Sequence, residues 1–230
     1  MKLLMERFRK YLEEEVGGFT TPYQLFVPTG CEDGACSIDE LKNTPPIKNQ
    51  PGTNKPFGGL WTSTAWEVPY TKGSPKGMWT SEWNEWLPGN MPQWMSPQGI
   101  LIVPKTDNIF HVSTEEDAEQ LYEEFPAKTE EWDPGHRMLL RGGKHIDFES
   151  ALQKYDAIHY GAPSGKDSGA WNFGRNGGWD VESTVFKDTS VVDIIKVVPV
   201  KQADKPSFTP FEASPGWEEN WKKNRYEIFN

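Results

Sequence analysis

Apolar residues in this chain arrive in short bursts, such as LFV at 25–27 and ILIV at 100–103, each bounded by Gly, Pro or a polar residue. Bursts of that length fit strands and short helices, and none reaches the roughly 18 uninterrupted apolar residues of a membrane-spanning helix. The chain is therefore expected to fold as α+β, with many short strands and peripheral helices, and to have no membrane partner. Its 230 residues include 11 Trp, 12 Phe and 7 Tyr, enough large side chains for a core of normal size, which excludes a disordered chain. No polar linker divides the bursts. One domain over 1–230 is expected, with a helix at 1–18 and a Pro-rich tail at 201–230.

The first segment, MKLLMERFRKYLEEEVGG, carries Leu4, Phe8, Tyr11, Leu12 and Val16 at helical spacing and stops at Gly17 and Gly18. Charges break its apolar stretches, which marks an amphipathic helix packed on the domain and not a secretion signal; the cytoplasm is the expected location. Strands are expected at 23–27 and in GGLWTSTAW, while GILIVPK and NIFHVST together read as strand, turn, strand. A helical turn is expected at 37–41. Ser81 leads a short helix with Trp83 and Trp86 on one edge. STEEDAEQLYEEFP has Ser113 or Thr114 as cap and Pro126 as stop, and IDFESALQKY repeats that logic before a strand in YDAIHYG. WDVESTVF and SVVDIIKVVPV close the pattern as two strands separated by Lys187, Asp188 and Thr189.

The formal charge of −10 repels phosphate backbones, so nucleic acid is disfavoured as a partner. Cys31 and Cys36 are expected as reduced thiols, because a disulfide framework needs more pairs. None of the four histidines supplies a paired ligand motif, so no metal is assigned. His111 and His159, in expected strands, read as structural hydrogen-bonding residues; His136 and His145 lie in polar loops and carry no signal.

Glu182 is the residue in the pattern that asks for an explanation. It sits in an apolar strand with Val181, Val185 and Phe186, and Asp180 stands two positions earlier on the same face. A carboxylate turned inward from a sheet is costly unless it is paired or used, which makes it a site candidate; the alternative is a solvent-exposed Glu on an edge strand.

Two blocks around it resemble the ADP-ribosyltransferase superfamily. The stretch from Glu182 to Val197 is similar to the strands that end the catalytic domains of poly-ADP-ribose polymerases and mono-ADP-ribosyltransferases. Gly58-Gly59-Leu60-Trp61-Thr62-Ser63, followed by Ser81, Trp83 and Trp86, resembles the family's Gly-aliphatic-Tyr strand and Ser-led aromatic helix. The resemblance spans about 140 residues, from 58 to 198. It implies split antiparallel sheets with peripheral helices, NAD as substrate, and transfer of ADP-ribose to a macromolecular acceptor, with protein favoured by the acidic surface. Compact, diverged members of the superfamily commonly act as toxins or phage effectors.

Cleaving the nicotinamide–ribose bond passes through an oxocarbenium-like transition state, which a nearby carboxylate and a platform for the leaving ring both favour. The resemblance gives Glu182 the carboxylate role, Trp61 the platform, and Ser63 the bracing of Glu182. Asp180 would orient or deprotonate the acceptor. Gly58 and Gly59 would let the backbone approach the dinucleotide, with Thr62 beside them. The pattern departs at the first strand, where the family carries a His or Arg and this chain has Val27 at about that place; Thr29 or the backbone near Gly30 would substitute. Trp171, Phe173, Arg175 and Trp179 lie where the family places its acceptor-recognition loop. An NAD glycohydrolase and a non-catalytic binding module on the same fold remain open, as does a carbohydrate-binding or glycoside-cleaving domain that stacks sugars on its tryptophans.

Overall fold

The computed structural model describes residues 23–27, 38–42, 44–51, 54–72, 75–128, 145–161, 179 and 181–201. The expectations for the helix at 1–18, for Cys31 and Cys36, for His136 and for the tail beyond Lys201 lie outside these residues. Twelve elements follow in chain order: β1 (Gln24–Phe26), α1 (Asp39–Lys42), β2 (Leu60–Glu67), β3 (Trp79–Ser81), α2 (Glu82–Asn90), β4 (Gln98–Pro104), β5 (Ile109–Val112), α3 (Glu115–Glu124), α4 (Phe148–Lys154), β6 (Ala157–Tyr160), β7 (Ser183–Phe186) and β8 (Val192–Pro199). The class is α+β, as the short bursts imply. No helix among the described residues is long and apolar enough to cross a membrane.

The strands form one unclosed sheet in the order β5-β6-β7-β2-β1-β4-β8, with β3 attached to β2. β5 and β6 run parallel, so the sheet is mixed and not antiparallel throughout as the resemblance implied. That parallel pair is joined through α3 and α4, and both helix starts follow from local chemistry. The Thr114 hydroxyl accepts the Asp117 N–H at 3.2 Å while Asp117 accepts the Thr114 N–H at 2.8 Å. Asp147 accepts the Ser150 N–H at 3.1 Å in the same way. Each such cap is worth about 1 kcal/mol.

Two runs of consecutive strands do not pair with each other. 99–105 and 108–114 do not form a hairpin: both edges of β4 are taken, by β1 and by β8, and β5 instead pairs with β6 at the far end of the sheet. Likewise β7 and β8 do not pair. β7 lies between β2 and β6, and a 3-10 turn at Thr189–Val191, its start capped by Asp188 at 2.7 Å, sends the chain to the opposite edge.

That short connection is possible because the sheet curls. Leu60, Ala157 and Phe186 share one buried cluster with Ile100, Ile102 and Val192, so the two arms close over a common core. An irregularity in the β4–β8 register between Leu101 and Ile102 adds bend where an edge needs it. Outside the curl, α3 and α4 cover one arm through Leu121, Phe148 and Leu152, packed on Ile158, Tyr160 and Val185. Leu25, Ala65, Trp79 and Leu101 form the core under the other arm.

Candidate functional site

β2 is the strand on which the site is built. On one edge its residues Leu60, Trp61 and Thr62 pair with β7, and Ala65, Trp66 and Glu67 pair with β3. Between those stretches the ladder opens. Successive N–H groups of a strand point to opposite sides, so Thr64, whose neighbour Ala65 donates to Tyr23 on the β1 side, must point its own N–H into the opening. A buried N–H left unpaired there would cost about 1–3 kcal/mol.

Glu182, the residue just before β7, fills the opening. Its Oε2 accepts the Thr64 N–H at 2.8 Å and the Ser63 hydroxyl at 2.6 Å, and its Oε1 accepts the Thr64 hydroxyl at 2.9 Å. The other bank of the fork reciprocates: Glu82, the first residue of α2, accepts the Glu182 N–H at 3.0 Å. Side chain thus answers backbone in both directions across the gap. Glu182 is 8% exposed, and burial pushes its carboxyl up to about 7. The hydrogen bonds from Ser63 and Thr64 pull the other way, and the Glu82 charge reinforces the rise.

A row of polar side chains, buried except for the half-buried His111, stands behind the carboxylate on the inner face of the curl. Register places His111 beside His159, His159 beside Thr184 and Thr184 beside Thr62, with Gln24 opposite Thr64 on the next strand pair. His159 Nδ1 lies 2.9 Å from Thr184 Oγ1 and 3.3 Å from Glu182 Oε1. Burial, aided by the neighbouring His111, drives the His159 imidazole down to about 3. At neutral pH the pair therefore holds a neutral imidazole against a carboxyl near its midpoint.

On the opposite face of β2, Trp61 and Ser63 stand two residues apart, about 7 Å along the strand. The half-buried Trp61 indole donates to Gly58 O at 2.9 Å and packs against Trp179 with ring centres 4.9 Å apart. The Lys55 ammonium sits 4.7 Å from the centre of the Trp61 ring and 5.9 Å from that of Trp83 on α2. Two indoles from the two banks of the fork thus face one cation, a seat of the kind aromatic faces make for planar or quaternary cations. Trp83 in turn stacks on Trp86 at 5.1 Å.

The structure seats Glu182 on Ser63 and leaves Trp61 two residues along β2 from that serine. Thr62 is 5% exposed and donates to Gln24 Oε1 at 3.0 Å, so its hydroxyl is engaged in the interior. Trp179, expected as an acceptor contact, is 3% exposed, stacked on Tyr160 at 4.0 Å and donating to Asn54 O at 2.7 Å. Gly58 and Gly59 do need their freedom, with φ of 76° and 71°. The close approach they allow is to the chain itself, since a Cβ would meet Pro46 O at 2.1 Å and Ile47 Cδ1 at 2.3 Å respectively. Val27 is buried in the core. Asp180, Thr29, Gly30, Trp171, Phe173 and Arg175 lie outside the described residues.

Reading from sequence missed Gln24, Thr64, Thr184 and Glu82, and gave His159 a structural role without placing it against Glu182. The available signal was weak: one Gln in an apolar strand, and threonines that any strand favours. His145, expected in a polar loop, is 2% exposed with Nδ1 at 2.7 Å from Ile146 O. No group of three or more His, Cys, Asp or Glu suited to a metal ion occurs among the described residues.

Fold and site together define an α+β chain whose open mixed sheet forks around one buried carboxylate. No family model, curated protein or solved structure matches the chain, and the chemistry rests on these residues.

Proposed function

We propose that this chain is an NAD-dependent ADP-ribosyltransferase of the cytoplasm, which breaks the nicotinamide–ribose bond and passes ADP-ribose to a protein acceptor. The observation that carries this reading is the Glu182 carboxylate, held at the fork by Ser63 and Thr64 and titrating near neutrality, with a cation-accepting indole one strand repeat along β2 from Ser63.

The steps follow from what each group can do. The nicotinamide of NAD is a planar cation, and the place over Trp61 now taken by the Lys55 ammonium suits it. When the C–N bond breaks, its electron pair passes to the ring, which leaves neutral, and positive charge moves to the ribose. Glu182 as carboxylate accepts a ribose hydroxyl and stabilises that charge, a field fixed before the reaction starts. The acceptor then bonds to the ribose carbon and loses its proton to solvent or to Asp180. Water in the acceptor's place would make the same site a glycohydrolase.

Nicotinamide release by the full chain tests this directly. Glu182→Gln should lower kcat by about a thousandfold with the fold intact, roughly the effect of losing a main electrostatic group in a desolvated site. Because the ionised form is the working one, the wild-type rate should rise with pH through about 7. Equal release by both proteins would remove Glu182 from catalysis.

A second reading has its own support. The donors within reach of Glu182 come from the chain itself, and at 8% exposure the residue could serve only to close the gap in β2, leaving a binding module on this fold. In that case NAD would be neither consumed nor able to raise the melting temperature.

A further inference from the structure

Glu182 is the end point of a chain of hydrogen bonds, and the chain has a direction. His159 Nδ1 reaches Thr184 Oγ1 at 2.9 Å, and Thr184 passes its own proton to Gln24 Oε1 at 3.1 Å. Thr62 donates to the same amide oxygen at 3.0 Å. On its other side Gln24 donates from Nε2 to Thr64 Oγ1 at 3.0 Å, and Thr64 donates to Glu182 Oε1 at 2.9 Å. His159 Nδ1, at the far end of the chain, also lies 3.3 Å from that oxygen. Gln24 and Thr184 are fully buried, so water does not compete for these bonds.

Each hydroxyl has one proton to give, whereas the amide has an oxygen that only accepts and a nitrogen that only donates. Thr184 and Thr62 both donate to Oε1, Thr62 lying also 3.5 Å from the Thr184 carbonyl oxygen, and the amide presents Nε2 to Thr64. Thr64, having accepted there, is left with Glu182 as the target of its proton. Turning the amide over would set its oxygen against Thr64 and draw that proton away from the carboxylate. One buried glutamine, contributed by the shortest kind of strand, therefore sets the polarity of the arrangement.

We infer that Gln24 is a positioning residue for Glu182: it fixes the direction of this chain of hydroxyls, so that Thr64 donates to the carboxylate, aims it and favours its ionised form. Its consequence for bond cleavage rests on the proposed NAD chemistry; the positioning itself does not. Among the described residues, the titratable groups facing Glu182 are Glu82 from α2 and His159 from β6, with His111 of β5 beside that imidazole.

The experiment is a carbon NMR titration of the Glu182 side chain in the full chain, for wild type, Gln24→Met, Thr64→Val and the double variant. Each single change should raise the Glu182 midpoint by about one pH unit, the loss of one hydrogen bond to a charged group. The double variant should rise no further than Thr64→Val alone, since Gln24 acts through Thr64. In the wild type, the Gln24 side-chain amide protons should titrate at the Glu182 midpoint, a measurement that needs no variant to fold. Additive shifts in the double variant, an unmoved midpoint in Gln24→Met, or a flat Gln24 amide signal would each overturn the inference. Nicotinamide release, measured alongside, separates the two proposals. If midpoints move as expected and no protein consumes NAD, the catalytic reading fails and the positioning role stands. If NAD is consumed, the acid limb of kcat/KM in Gln24→Met should move with its NMR midpoint while KM stays unchanged.

Discussion

Two adjacent rows cross the inner face of the curled sheet on the same four strands. The first runs Ile109, Ala157, Phe186 and Leu60; the second, two residues along each strand, runs His111, His159, Thr184 and Thr62. The first row is held by contact area, which has no direction and can be altered one side chain at a time. The second is held by donors and acceptors that must all agree, so its members depend on one another. A single sheet face thus carries a tolerant region beside an exacting one, and the carboxylate sits at the end of the exacting one.

The largest effect that could break this contrast lies in the apolar row. Phe186→Ala should cost about 4 kcal/mol in a denaturant titration, and Phe186→Leu, which nearly conserves volume, under about 1.5 kcal/mol. A small loss in the alanine variant would show that the two arms do not share a core.

Next in size is the pH dependence of stability in Glu182→Gln. Glu182 in the folded chain sits at about 7 against an ordinary 4.5, so between those values the folded state holds the extra proton. Its contribution is full below 4.5 and is lost as pH rises to 7. His159 is at about 3 against 6.5, so there the unfolded state holds the extra proton and stability grows as pH rises through that window. From 4.5 to 6.5 the two slopes oppose. Removing Glu182 leaves the His159 slope alone, and the variant should gain on the wild type by about 1.4 kcal/mol per pH unit, reaching roughly 3 kcal/mol near pH 7. Parallel stability curves would mean that Glu182 titrates normally.

The smallest of the three sharpens the contrast most. Thr184→Val keeps shape but leaves Gln24 and His159 short of a partner, and should cost about 2 kcal/mol. A neutral or stabilising result would make the polar row another patch of core.

Much of this was readable in the residues. The strand cores, the caps at Ser81 and Thr114 and the significance of an inward Glu182 follow from periodicity, capping chemistry and the cost of burying a charge. Those are local rules, and local sequence is enough to state them. Sheet order was not readable: the parallel β5–β6 pair and the separation of β7 from β8 depend on which strand edges remain unpaired, a condition no single segment carries.

What the sequence by itself determined is therefore the α+β class, most of its elements, and one carboxylate out of place among apolar neighbours. Only the tertiary structure decided what that carboxylate touches. Gln24, Thr64 and Glu182 are 40 and 118 residues apart along the chain and become neighbours only when β1 and β7 meet β2. Hydrogen bonds act over about 3 Å, so a network of them exists only after folding has chosen which distant residues lie that close.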